Sequence, residues 1–132
     1  MCYGSKSGGA VRVFKTKLFT KFARRERILD ASLMQAIERA RQGLVDVDLG
    51  GGVIKQRVAR QGQGRSGGYR TLIAFRFGDF AVFLFGFAKN EMDNIDDKQL
   101  ASLQETAGYW LAADAARLEQ ALKDGILIEA RP

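Results

Sequence analysis

The residues that could do chemistry in this chain are mostly cations, and they crowd into one stretch. In VIKQRVARQGQGRSGGYR (53–70) stand Lys55, Arg57, Arg60, Arg65 and Arg70. Lys55 and Arg57 are two apart, so on an extended strand they project from one face. Arg60 closes that segment and Arg70 opens the next. Arg65 lies among glycines, which let a backbone approach a phosphate closely. Guanidinium groups hold phosphate bidentately and stay charged. The pattern points to a phosphate-rich ligand. A solvated basic hairpin carries the same pattern, so the residues alone leave both readings open. After the next apolar run, Lys89 is followed by Glu91. That pair is either a surface ion pair or, beside the arginine hairpin, a means of moving protons.

The glycines raise a second possibility. Gly62, Gly64 and Gly67 fall at G-x-G-x-x-G spacing. A dinucleotide loop needs a strand before it, a helix after it and an acid about twenty residues on. The segment that follows, YRTLIAFRF (69–77), is β-branched and aromatic, and Phe87 stands where the acid is needed. A phosphate-binding loop ending in Gly-Lys-Ser/Thr fails too, because Gly67 is followed by Gly68 and Tyr69. The glycines read instead as a hairpin loop between two antiparallel strands.

Composition narrows the options. The 132 residues are 46% hydrophobic, enough for one domain with a real core. There is no histidine, so the commonest metal ligand and acid–base group is missing, and no cofactor or metal is implied. The single cysteine, Cys2, excludes a disulfide within the chain and fits a reducing cytoplasm. The longest apolar run, 80–88, is too short to span a bilayer, so no membrane role is expected. Net charge is +6 but unevenly spread. Residues 1–89 hold 17 Lys and Arg against 6 Asp and Glu, a net of +11. Residues 90–132 hold 4 against 9, a net of −5. The basic part is the expected footprint for a polyanion.

These cations need a scaffold. Residues 1–9 read as a flexible leader and 10–132 as a single domain. AVRVF (10–14) reads as a strand. TKLFTKFARRERI (16–28) reads as a helix whose apolar face is Leu18, Phe19, Phe22 and Ala23, with Lys21, Arg24 and Arg25 on the rest. Asp30 is expected to cap a second helix through Leu33, Met34, Ile37 and Ala40, ended by Gly43. LVDVDLGGG (44–52) reads as a loop. Strands follow at 53–60, 69–77 and 80–88, the last two joined by a tight Gly78-Asp79 hairpin. The third is apolar on both faces and so belongs in the middle of a sheet. Two more helices are expected, one burying Ile95, Leu100, Leu103, Ala107 and Trp110 or Leu111, the other capped by Asp114. GILIEA (125–130) closes the chain as an edge strand with Ile126 and Ile128 turned inward. The class is α+β: an N-terminal strand and αα-hairpin, a mostly antiparallel sheet of about four strands, and C-terminal helices.

Two quoted segments together carry a resemblance. GGVIKQRVARQGQGRSGGYRTLIAF followed by FAKNEMDNI resembles the RelE/HigB superfamily of bacterial type II toxins, and within it the HigB-like branch. The resemblance covers about residues 11–105, and 106–132 is similar to the C-terminal extension of one branch. It implies a toxin that enters the ribosomal A site and cuts mRNA, inhibiting translation. It also implies a cognate antitoxin, typically a helix-turn-helix protein. By position, Lys55 and Arg57 match basic strand residues that handle RNA, Arg65 the loop cation, Arg70 a catalytic arginine, and Lys89 the basic residue ending the last core strand. There are departures. The tyrosine that follows in RelE has no counterpart near Ile95 and Asp96, and Asn90 stands in place of an arginine.

RNA cleavage by its own 2′-OH needs a base for that hydroxyl, positive charge on the phosphorane and an acid for the leaving oxygen. Arg57 and Arg70 are assigned to the phosphorane. Clustered cations favour a neutral lysine, so Lys55 is assigned as base, and Lys89 as acid or further phosphate contact. Arg60, Arg65, Lys21, Arg24 and Arg25 are assigned to RNA or phosphate binding outside the chemical centre. The chain would then be a metal-independent endoribonuclease. Two alternatives stand beside this: a toxin of the same fold that inhibits DNA gyrase without cutting RNA, and a plain RNA-binding module.

Overall fold

The computed structural model describes residues 11–60, 64–76, 80–88 and 96–131. Along these the chain runs β1 (Arg12–Thr16), α1 (Lys17–Glu26), α2 (Asp30–Arg41), β2 (Val47–Gly50), β3 (Val53–Arg60), β4 (Gly64–Arg76), β5 (Phe80–Ala88), α3 (Asp97–Leu111), α4 (Ala115–Lys123) and β6 (Leu127–Glu129). The six described strands form one sheet in the order β2-β3-β4-β5-β1-β6. Every neighbouring pair is antiparallel except β1 with β5. The α+β class stands, with six strands where about four were expected.

Two cores lie on opposite faces of this sheet. On one face α1 and α2 bring Phe19, Phe22, Leu33 and Ile37 against Ile54, Val58, Ile73 and Phe83. On the other, α3 and α4 bring Ala107, Trp110, Leu118 and Ala121 against Val53, Leu72, Ala74 and Val82. With neighbours on both sides and helices on both faces, β5 buries Phe80 to Leu84, as its apolar run demands.

Local chemistry sets the ends of the helices. Thr16 caps α1 by accepting the Phe19 N–H at 3.1 Å, and Arg27 ends it in a left-handed conformation at φ 58°. Asp96 and Gln99 form a capping box on α3, and Asp114 caps α4 by accepting the Arg117 N–H at 2.8 Å. Asp30 does not cap α2. Leu29 holds the cap position, and the Asp30 carboxylate instead takes Lys15 Nζ at 2.8 Å and the Arg131 N–H at 2.9 Å. Gly43, just past α2, has φ +90° as a helix terminator should.

Four further expectations change. Leu18 is 59% exposed, because α1 buries Phe19, Thr20, Phe22 and Ala23 and turns Leu18 away from them. The segment read as a loop at 44–52 contains β2, which a bulge and the glycine turn 50–52 had disguised. β4 begins at Gly64, so most of the glycine-rich segment is strand and not loop. In β6 it is Leu127 that faces the core, while Ile126 is exposed and Ile128 half-buried. In α3, Leu103, Ala107, Trp110 and Leu111 pack as expected and Leu100 stays half-buried. Ile95 and the Gly78-Asp79 turn lie outside the described residues, although β4 and β5 pair as far as Arg76↔Phe80 beside that turn. No helix among the described residues is long and apolar enough to cross a membrane.

Candidate active site

Strand alternation sorts the cations of β3 and β4. Ile54 and Val58 lie in the core under α1 and α2, so the odd residues of β3 face α3 together with Val53. In β4, Leu72 and Ala74 lie in that second core, so Arg70 shares their face. The register sets Lys55 opposite Leu72 and Arg57 opposite Arg70. Lys55, Arg57 and Arg70 therefore meet on one patch of one face.

The two arginines are closer than the register alone implies. The Arg57 N–H points outward and donates to Asp46 Oδ2 at 2.7 Å. The Arg57 carbonyl also points outward and accepts from the Arg39 guanidinium. Both main-chain groups of Arg57 thus face away from β4, which makes Arg57↔Arg70 a non-hydrogen-bonded pair. In such pairs the Cα atoms are about 4.5 Å apart and the side chains lie closest. Like charges placed directly opposite destabilise a sheet. Among the described residues no carboxylate forms an ion pair or hydrogen bond with the side chains of Lys55, Arg57 or Arg70. An anion between the guanidinium groups would relieve the repulsion, and a phosphate suits their fork geometry.

The surroundings hold this arrangement in place. Gln56 is fully buried on the opposite face of β3. Its side-chain amide donates to the Ala36 carbonyl at 3.0 Å and the Leu44 carbonyl at 3.1 Å, and its oxygen accepts the Asp46 N–H at 2.9 Å. It ties the arginine strand to α2 and to the loop that supplies Asp46. Thr71 donates to the Gln56 carbonyl at 2.8 Å and adds a side-chain link between β3 and β4. Beside Arg70 across the next ladder is Phe87, with Phe85 opposite Leu72. The rings of Phe85 and Phe87 are 6.1 Å apart and give the patch an apolar margin. On the outer edge of β3 a cleft of about 280 Å³ is bounded by Ser32, Gln35, Arg39, Asp46, Arg57 and Ala59.

The other expected site residues are placed differently. Arg60 is the last residue of β3 and Arg65 the second of β4, and only their backbone belongs to the described part. Lys89, Asn90 and Glu91 lie outside the described residues. Lys21, Arg24 and Arg25 are exposed on α1, which covers the face opposite the arginine pair. Sequence reasoning missed Gln56, Asp46 and Arg39. Gln56 had a signal: a polar residue between Ile54 and Val58 on an otherwise apolar face needs a buried partner. The Asp46–Arg39 clamp had none, because it depends on where β2 begins.

Among the described residues no group of His, Cys, Asp and Glu is arranged to hold a metal ion. The glycine spacing that suggested a cofactor loop leads into the strand β4 and not into a helix, so that reading fails on the geometry it requires. What the patch offers is fixed positive charge at a point where a phosphate can sit, with a lysine diagonal to it on the neighbouring strand.

A comparison with curated proteins found no significant match. The family model described as the RelE toxin of the RelE / RelB toxin-antitoxin system matches residues 11–130, from before β1 to the end of β6. The chain belongs to the RelE toxin family.

Proposed function

We propose that this toxin is an endoribonuclease that cuts mRNA in the ribosomal A site and so stops translation in the cytoplasm. The observation that carries the reading is the close Arg57/Arg70 pair, repulsive in the free protein and without a described carboxylate to relieve it. The scissile phosphate sits between the two guanidinium groups, which hold its non-bridging oxygens and take up the charge that develops on the phosphorane. Lys55, diagonal to Arg70 across the strands, removes the 2′-OH proton. Lys89 delivers a proton to the leaving 5′-oxygen or adds a phosphate contact. Arg60 and Arg65 contribute RNA or phosphate contacts. All roles come from this chain's cations, as a chain without histidine requires. A ribosome orients the mRNA, so free RNA is a poor substrate. The partner is a cognate antitoxin of the helix-turn-helix kind.

The test is primer-extension mapping of transcripts after brief induction, wild type beside Arg70→Met. Codon-phased cuts that vanish in the variant support the reading. Intact transcripts with damaged DNA in the wild type would replace it by gyrase inhibition. Ribosome binding without cuts would reduce it to RNA binding.

A further inference from the structure

β2 covers only the start of β3. It pairs as far as Val47↔Lys55, so from Gln56 onward the outer edge of β3 has no described strand beside it. Two clefts open along this edge, between β3 and α2. The first, of about 280 Å³, runs from Arg57 and Asp46 to Ser32 and Ala59. The second, of about 290 Å³, continues from Ser32 and Ala59 to Tyr69, Leu29 and Arg27. Ser32 and Ala59 line both, so the two form one groove, with Arg57 at one end and Arg27 at the other.

The polar groups of this groove are unequally engaged. Asp46 accepts the Arg57 N–H at 2.7 Å. Glu26 accepts from Arg25 Nε at 3.1 Å and from the Tyr69 hydroxyl at 3.1 Å. Both carboxylates on the walls are thus taken up within the protein. Ser32, Gln35 and Arg39 are three and four residues apart on α2 and share one stripe of it. Arg39 is spent on the Arg57 carbonyl, but no described residue hydrogen-bonds the Ser32 hydroxyl or the Gln35 side-chain amide. That amide carries a donor and an acceptor side by side, the pattern that reads the edge of a nucleobase. Arg27 forms no ion pair with a described carboxylate. Its backbone is left-handed, with the one positive φ of a non-glycine among the described residues, 58°. The turn is closed by main-chain bonds alone, from the Ile28 N–H to the Ala23 carbonyl at 2.9 Å and from the Arg27 N–H to the Arg24 carbonyl at 3.2 Å. Glycine suits such a helix end better, so the fold does not call for an arginine here.

We propose that this groove holds one nucleotide of the RNA, the neighbour of the phosphate bound by Arg57 and Arg70. Its base enters the first cleft with its edge on Gln35 and Ser32, and its other phosphate is held by Arg27. Ile28 and Leu29, the latter 50% exposed, give the sugar an apolar wall in between. Phosphate contacts position a nucleic acid and base contacts specify it, so Gln35 and Ser32 set a base preference at one position beside the bound phosphate. A free amide followed by a lone guanidinium matches the base-then-phosphate repeat of RNA, which a peptide strand does not share. The inference rests on the reading of Arg57 and Arg70 as an RNA site, and it holds whether or not that RNA is cut.

The experiment measures, by fluorescence anisotropy at low salt, how the full chain binds four 2′-O-methyl hexanucleotides, each made of a single base and none cleavable through its 2′-oxygen. The wild type should bind the best of the four at least about fivefold more tightly than the worst, the low end for one amide–base pair. Gln35→Leu should level the four affinities, and Ser32→Ala should narrow their spread. Arg27→Gly should weaken all four about equally and reduce the salt slope by about 0.7, one phosphate contact on a single strand. Its Tm should hold or rise, since glycine suits the left-handed φ, so weaker binding cannot be laid to unfolding. Arg70→Met should weaken all four and leave their ranking as it was. Overturning results are no binding, equal binding of all four by the wild type, a ranking that survives Gln35→Leu, or an Arg27→Gly chain with unchanged affinity and salt slope. Cleavage enters none of these measurements. Ranked binding with intact transcripts would remove the nuclease reading alone, and transcript cuts with unranked binding would remove the groove alone.

Discussion

Replacing Arg70 by methionine keeps most of the aliphatic stem and removes one of two guanidinium groups that face each other across β3 and β4. At a separation of about 5 Å in water, Coulomb's law puts their repulsion near 0.8 kcal/mol. Favourable cross-strand pairs are worth roughly 0.2–1 kcal/mol each, and like charges directly opposite act in the other direction. Arg70→Met should therefore raise stability by up to about 1 kcal/mol, or a few degrees in Tm for a domain of this size. The gain is electrostatic, so it should depend on salt. It should be largest at about 0.01 M ionic strength, where the Debye length is about 30 Å, and nearly vanish at about 1 M, where it is about 3 Å. Activity should move the other way. Loss of a charge-stabilising group at the reacting centre costs on the order of 100- to 1,000-fold. Thermal melts at both ionic strengths, set beside transcript cleavage in a ribosome-dependent translation assay, measure both. A double-mutant cycle with Arg57→Met should return a repulsive coupling. If Arg70→Met loses stability equally at both salt concentrations, Arg70 serves packing and the argument for an anion site between the arginines fails.

Gln56→Leu removes the hydrogen bonds to the buried Ala36 carbonyl, the part-buried Leu44 carbonyl and the Asp46 N–H, so denaturant unfolding should show a loss of about 1–3 kcal/mol, with Arg39 and Asp46 losing their hold on β3. Gly86→Ala should cost about 1–3 kcal/mol by overpacking against Phe22, and Phe22→Leu in the same chain should recover part of it; additive losses in melts would argue against that contact. Glu129 is held below the ordinary glutamate range by its hydrogen bond from Arg12, so the stability it adds is present above pH about 4.3 and is lost as pH falls through its lowered native value. Glu129→Gln should flatten that acid limb in a melt series, and an unchanged limb would show that the link does not stabilise the fold. Asp96→Ala removes the α3 cap and should cost about 1 kcal/mol while leaving transcript cleavage intact; a folded variant without cleavage would bring α3 into the active site.

Much of this protein was readable from residue order because the relevant physics is local. The apolar run at 80–88 demanded a strand, and Asp114 marked the start of a helix by the chemistry of its cap. The cations at 55, 57 and 70 stood out by type alone, and the parity of Lys55 and Arg57 put them on one face. What the order of residues could not supply was register. Whether Arg57 stands opposite Arg70, and in which kind of pair, depends on how β3 and β4 slide past each other around a glycine-rich connection. A slip of one residue would send one side chain to the other face. Register also decided β6, where Leu127 took the core position that Ile126 and Ile128 suited equally well. β2 escaped notice because four residues with an aspartate and a glycine carry little strand signal, and they become a strand only when the edge of β3 is there to pair with. The Gln56 hydrogen bonds and the Asp46–Arg39 clamp follow from where α2 and the start of β2 lie against β3. Local propensity chooses the elements, but hydrogen-bond partners and charge neighbours are set by residues far apart in the chain, and only the packed sheet brings those together.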